Sequence, residues 1–252
     1  IFDLDDAVWM PYASPTYGAA LSRLLKAPGK THFTLAAATR VIAGNDYIAD
    51  YARRFNEHTD VIPTVVDTQQ FCPRPHATNE LPVLGWIGTH SSLQYLRAIV
   101  PALQRLARER AFVVRVVGGE LEASGVNVEN LPWSLAREVS DFQSLDIGLY
   151  PLVEDGWSVG KSGFKAVQYM ACGVPVVASP VGVTTEMIRD GDNGFLAVDE
   201  DAWVDRLRRL VDDAELRRRL GARGRDEAVA RWSVAAHAPR FVEVVRSAME
   251  AA

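Results

Sequence analysis

Short, wholly apolar runs recur along this chain, and each leads into a stretch with helical spacing. A strand that reads as a continuous apolar run is buried on both faces, and helices crossing both faces of a parallel sheet are what bury it. Arg40-Val41-Ile42-Ala43-Gly44 is one such run, followed by helical spacing over 46–55 and a further run, Asp60-Val61-Ile62-Pro63. From Thr64 to Pro82 the periodicity stops, and Pro73, Pro75, Thr78 and Asn79 mark an extended polar connector. The pattern resumes at Val83-Leu84-Gly85-Trp86-Ile87-Gly88 and predicts a helix over 93–110, capped by Ser91 or Ser92. Strands are predicted over 112–117, 126–128, 146–150, 174–179 and 195–198, helices over 135–139 and 163–171, and a helical tail beyond Glu200. The expected fold is α/β, with parallel sheets in units at 1–66 and 83–232, a connector at 67–82 and a last helix within 233–252 that packs back on the first unit.

At 252 residues, 48% hydrophobic and 23% charged, the chain can bury one large core or two modest ones. A net charge of -5 argues against nucleic acid as a partner, because phosphate backbones are bound by concentrated Lys and Arg. The basic residues that do cluster, Arg206, Arg208, Arg209, Arg217, Arg218, Arg219, Arg223 and Arg225, are interleaved with acids. They read first as a solvated helical face with i,i+4 ion pairs, and second as a patch for an anionic membrane surface. Cys72 and Cys172 are too far apart in sequence and context to suggest a disulfide framework or zinc site. No apolar run is long enough to span a membrane. Ile1-Phe2-Asp3-Leu4-Asp5-Asp6 reads as the middle of a strand rather than a leader, so residues upstream are expected to be missing. The expected location is cytoplasmic, with peripheral contact at the inner membrane face as the alternative.

Ligands of an open parallel sheet bind beyond the carboxyl ends of its strands. Two loops qualify. Gly88-Thr89-His90-Ser91-Ser92 has small residues that let backbone N–H groups approach a phosphate, although a glycine there also serves helix packing and His90 reads as a polar loop residue before it reads as a catalyst. Gly156-Trp157-Ser158-Val159-Gly160-Lys161-Ser162-Gly163-Phe164-Lys165 places a cation and a hydroxyl between glycines just before a helix, a diphosphate-binding combination centred on Lys161. It is not an ATPase P-loop, whose spacing requires glycine where Asp155 stands.

The stretch from Gly160 through Gly194, GKSGFKAVQYMACGVPVVASPVGVTTEMIRDGDNG, resembles the donor-site signature of group 1 (family 4) retaining glycosyltransferases. Val41-Ile42-Ala43-Gly44-Asn45 resembles that family's last N-domain strand, and Trp86-Ile87-Gly88 its first donor-domain strand. The resemblance implies a GT-B fold of two Rossmann-like domains, the N-terminal one incomplete. It also implies retaining transfer from a nucleoside diphosphate sugar to an acceptor hydroxyl, the acceptor being a polysaccharide, lipid or small molecule, with no cofactor and no metal. The implied donor-binding residues are Gly88, Thr89, His90, Leu131, Trp133, Lys161, Ser162, Gly163, Phe164 and Gln168, and the implied catalytic residues are Lys161, Asp5 and Asp6.

The family's two signature glutamates fall on Gly160 and Gln168. Gln168 retains an amide for a ribose hydroxyl, whereas Gly160 offers only backbone. The family's Arg and Lys after the first donor-domain strand are absent from 88–94, leaving Lys161 as the main cation for a diphosphate. Asp5-Asp6 stands where the family has His-Asp. A metal-binding pair of Asp3 and Asp5, or a carboxylate that merely turns the loop, are the competing readings. Trp133 flanks a base or fills the core. Rival functions are a sugar-nucleotide epimerase of the same fold and a sugar-nucleotide binding protein without turnover, the second motivated by the two lost glutamates.

Overall fold

In the computed structural model, residues 1–10, 28–74 and 79–251 are described; Pro75 and Thr78 of the connector lie outside them. Strand β4 (Val83–Ile87) is buried at every position. Alternate side chains leave its opposite faces: Leu84 and Trp86 enter one core with Leu103, Leu106, Val114 and Leu207, while Val83 and Ile87 enter another with Phe142, Tyr169 and Met170. The sheet is parallel throughout, in the order β6-β5-β4-β7-β8-β9, the others being β5 (Val113–Val117), β6 (Val128–Leu131), β7 (Ile147–Tyr150), β8 (Val176–Ala178) and β9 (Phe195–Leu196). The chain thus winds outward from β4 to β6, then returns to β7 on the other side of β4. Gly85 and Gly148 are paired there. A Cβ at Gly85 would lie 2.2 Å from Leu145 and one at Gly148 2.6 Å from the Tyr169 ring, so these central strands give up side chains to admit the helical layer. The Tyr169 hydroxyl donates to Gly85 O at 3.2 Å and accepts from Ile87 N at 3.0 Å.

A second parallel sheet, β1-β2-β3, comprises β1 (Phe2–Leu4), β2 (Val41–Ala43) and β3 (Thr59–Val61), with α1 (Pro28–Ala37) and α2 (Asp46–Ala52) alongside. Asn45 caps α2 by accepting from Ile48 N. The donor-side helices are α3 (Leu93–Ala98), α4 (Val100–Ala107), α5 (Glu138–Gln143), α6 (Gly156–Val159), α7 (Phe164–Ala171), α8 (Thr184–Met187), α9 (Glu200–Asp212) and α10 (Ala214–Arg231). Helix α11 (Val234–Glu250) crosses to the smaller sheet, where Val244 packs with Ile42 and Ile62 and Arg240 pairs with Asp60.

Several predicted elements change. The helix expected over 93–110 is two helices broken at Ile99, because Pro101 lacks an N–H to donate and restricts the residue before it. Its N-cap is Ser92, one of the two expected, but without a side-chain cap hydrogen bond, and a 3-10 turn at His90–Ser92, opened by Thr89, precedes it. The strand expected over 126–128 lies at Val128–Leu131, the segment in register with Val114 to Val117. The clustered arginines are mostly paired with other elements rather than along one helix: Arg206 with Asp190, Arg208 with Glu109 and Arg223 with Asp192. No helix among the described residues is long and apolar enough to cross a membrane.

Candidate functional site

The winding of the large sheet reverses between β4 and β7, and at the carboxyl ends of these strands lies a cavity of about 450 Å³. Gly88 and Thr89 enter it after β4, Tyr150, Pro151 and Leu152 after β7, Tyr95 from α3, Trp157 and Lys161 from the α6 segment, and Lys165 from α7. Asp6, from beyond β1, reaches it from the smaller sheet. Among the described residues the cavity is therefore walled by aromatic rings and carries two ammonium groups and one carboxylate.

The backbone donors of the first loop are largely consumed. Gly88 N–H donates to Val117 O at 3.1 Å, Thr89 N–H to the Ser92 hydroxyl at 3.1 Å and Ser92 N–H to Thr89 O at 2.9 Å. Attraction for an anion accordingly rests on the lysines. Lys161 Nζ stands 5.9 Å from the centre of the Tyr95 ring and 5.8 Å from that of Trp157. Lys165 Nζ donates to Gln168 Oε1 at 2.9 Å and lies 3.4 Å from Glu138 Oε1. Burial lowers the pKa of the Lys165 ammonium, and the Glu138 carboxylate partly offsets this. Burial, then the charges of Asp6 and Tyr95, raise the Tyr150 phenol, which stays protonated and able to donate.

The sequence-predicted residues divide. Gly88, Thr89, Lys161 and Asp6 share the cavity. His90 and Leu131 line an adjoining space of about 670 Å³ on the other side of the Gly88 loop, with Gly118, Gly119, Arg97 and Asn130. Trp133 beside it is 49% exposed, which excludes the core reading. Asp5 parts from Asp6: it lines a separate hollow with Asp3, Ile62 and Phe241, because successive residues of an extended segment point to opposite sides. Among the described residues no group of three or more His, Cys, Asp or Glu is disposed to hold a metal.

Ser162, Gly163 and Phe164 flank the cavity without lining it. Gly163 begins α7 at φ 70°, a left-handed conformation that favours glycine, and a Cβ there would meet Met187 at 2.7 Å. Gln168, expected to reach a ribose, is 1% exposed, and both ends of its amide are engaged internally, Nε2 donating to Glu138 Oε1 at 3.4 Å. Gly160 is packed shut: its carbonyl accepts from Asn45 Nδ2 at 3.1 Å, and a Cβ would lie 2.6 Å from that of Ala7. Sequence reasoning missed Glu138, Tyr95 and Tyr150, and gave Lys165 no role of its own within the second loop although its spacing of three from Gln168 puts the two on one helix face.

Two parallel α/β units with a cleft between them, and a last helix that crosses from one to the other, define the GT-B class. The glycosyl transferases group 1 family model matches residues 81–213, more than half of the chain, and the chain belongs to that family. It is 30% identical to the D-inositol 3-phosphate glycosyltransferase of Stackebrandtia nassauensis over 77% of this chain and 50% of that protein. It is 28% identical to the MMP alpha-(1->4)-mannosyltransferase of Mycolicibacterium hassiacum over 82% of this chain and 52% of that protein. The chain thus spans about half the length of the curated relatives it matches. In fold it is similar to the sucrose-phosphate synthase of Thermosynechococcus elongatus, with TM-score 0.72, 20% identity and coverage of 98% of this chain and 67% of that one. It is also similar to Anabaena HepE in complex with UDP-glucose, with TM-score 0.73, 18% identity and coverage of 97% and 71%.

Proposed function

We propose that the chain belongs to an enzyme that transfers a sugar, with retention, from a nucleoside diphosphate sugar to an acceptor hydroxyl. The observation that carries this is the pair Lys161 and Lys165 in the cavity at the winding reversal of the parallel sheet. In this reading the diphosphate lies against the two ammonium groups, and the base lies toward His90, Leu131 and Trp133 in the adjoining space. Retention follows if the acceptor hydroxyl attacks the sugar carbon from the side on which the phosphate leaves. The carbon–oxygen bond breaks with its electrons on the phosphate, whose oxygen takes the hydroxyl proton. Charge grows on that phosphate as the bond breaks, and fixed cations beside it lower the barrier. In this reading Asp6, which lines the cavity from the opposite wall, faces the transferred sugar.

A second reading, donor binding without turnover, is favoured by Gly160, where packing against Ala7 leaves no room for a carboxylate. Calorimetry with UDP, GDP, ADP and their sugar conjugates, without added metal, tests the shared premise. One nucleotide is expected to bind in the micromolar range and to weaken several-fold or more in Lys161→Ala. A folded sample that binds none of them removes the donor site. Release of free nucleotide from the bound conjugate separates transfer from binding alone.

A further inference from the structure

Gln168, Lys165 and Glu138 form a closed arrangement behind the cavity wall. Gln168 Oε1 accepts from Lys165 Nζ at 2.9 Å, Gln168 Nε2 donates to Glu138 Oε1 at 3.4 Å, and the same Glu138 oxygen is 3.4 Å from Lys165 Nζ. The Lys165 ammonium also lies 5.3 Å from the centre of the Phe142 ring and 5.4 Å from that of Phe164. An amide accepts from the ammonium with its oxygen while donating to the carboxylate with its nitrogen, which a carboxylate at this position cannot do. A glutamate at 168 would set two carboxylates against one ammonium, and the like charges would repel. Gln168 and Glu138 are therefore a matched pair, in which the carboxylate is supplied by α5 rather than by α7.

We propose that Glu138 is a positioning residue that, through Gln168, holds the charged Lys165 ammonium at the cavity wall as a second cation for the donor diphosphate. This rests on the donor-site reading above. The charged and titratable groups facing Lys165 are Glu138 from α5 and, around the same cavity, Lys161, Asp6, Tyr95 and Tyr150, while Gln168 on its own helix adds a neutral amide. Burial favours neutral Lys165 and Glu138 opposes burial. Diphosphate affinity should then fall as pH rises through the Lys165 titration. Removing the Glu138 charge should move that fall to lower pH.

The experiment is calorimetric titration of the full chain with the nucleoside diphosphate that binds it, from neutral pH upward toward the ordinary lysine range. It compares wild type with Lys165→Ala, Glu138→Gln and the exchanged pair Glu138→Gln with Gln168→Glu. Glu138→Gln should bind about fivefold more weakly at the alkaline end and much less so at the neutral end, where Lys165 stays charged. The exchanged pair, with one carboxylate and one amide still around the ammonium, should return to within about twofold of wild type. It also serves where Glu138→Gln alone folds poorly. Lys165→Ala should be weak throughout. Binding that responds to Lys161→Ala but is unchanged at every pH by Lys165→Ala or Glu138→Gln overturns this proposal and leaves the donor site standing. Failure of wild type to bind any nucleotide overturns both.

Discussion

Gly160 occupies a position where the family resemblance calls for glutamate, and the structure gives a steric reason for its small size. Because a Cβ at this position would come within 2.6 Å of that of Ala7, any side chain there must displace the loop beyond β1. Gly160→Glu is expected to lose about 1–3 kcal/mol, seen as a lower melting temperature, without tighter nucleotide binding. A stable variant with improved affinity would show instead that Ala7 yields and that the position is a vacated sugar contact. Trp133 tests the other end of the site. Being half exposed, it should cost little stability when changed to Ala, yet nucleotide affinity should fall by about 1 kcal/mol if a base stacks on it. Equal binding by this variant would place the base elsewhere. The place of Lys161 at the cavity was legible in the sequence because a cation between glycines before a helix has few structural uses. Gln168 was legible by type alone, since its partner Glu138 comes from a different helix and no local pattern announces the contact. The divergence of Asp5 from Asp6 was readable from strand alternation, which the grouping of the two carboxylates overlooked.

Helix α10 has no clean apolar stripe: it places Leu216, Leu220 and Ala228 in the cores, but part of its tertiary role is carried by charged residues that sequence periodicity treats as solvent-facing. Arg225 donates from Nη1 to Phe71 O and Ala171 O, and from Nη2 to Thr68 O, each at 2.7 Å, tying the connector to the end of α7. Arg225→Met is expected to cost about 2–4 kcal/mol in denaturant unfolding, since three carbonyls lose a charged donor. A loss under about 0.5 kcal/mol would show that water replaces it. Glu227, buried on the same helix, pairs with Arg189 at 2.8 Å and Arg231 at 2.7 Å. Burial pushes its carboxyl up, but the two guanidinium partners outweigh burial and hold it below the ordinary glutamate range. A depressed folded pKa stabilises above the unfolded value and ceases to do so as pH falls through the folded one. Stability should therefore decline on acidification from the ordinary glutamate range downward, and Glu227→Gln should flatten that decline in denaturant midpoints measured across it. An unchanged acid limb would assign the loss to other carboxylates. The buried parallel strands were legible as elements because double-sided burial writes itself as an apolar run. The break at Ile99 was missed although Pro101 announced it.

At the scale of the whole molecule, the two sheets are joined where two crossings of the chain lie side by side. Val66 N–H donates to Trp232 O at 2.9 Å and Val234 N–H to Val66 O at 3.1 Å, so the connector and the entry to α11 are hydrogen-bonded to each other. Among the described residues the smaller sheet has three strands, and its core extends onto α11 through Val244, while Asp60 at its far strand is paired with Arg40 at 2.7 Å and with Arg240 of α11. A sheet of that size with a helix layer removed cannot bury enough apolar surface to stand alone. Removing residues from 234 onward would uncover Ile42 and Ile62 and leave Asp60 with one partner, whereas β4, β5 and β7 would keep both their cores. Amide hydrogen exchange on the shortened chain should then show protection in β2 and β3 falling about tenfold or more, with β4, β5 and β7 within about threefold of the intact chain. A uniform loss would mean that the two sheets unfold as one cooperative unit, and that the interface at Asn45, Gly160 and Ala7 couples them more strongly than α11 does.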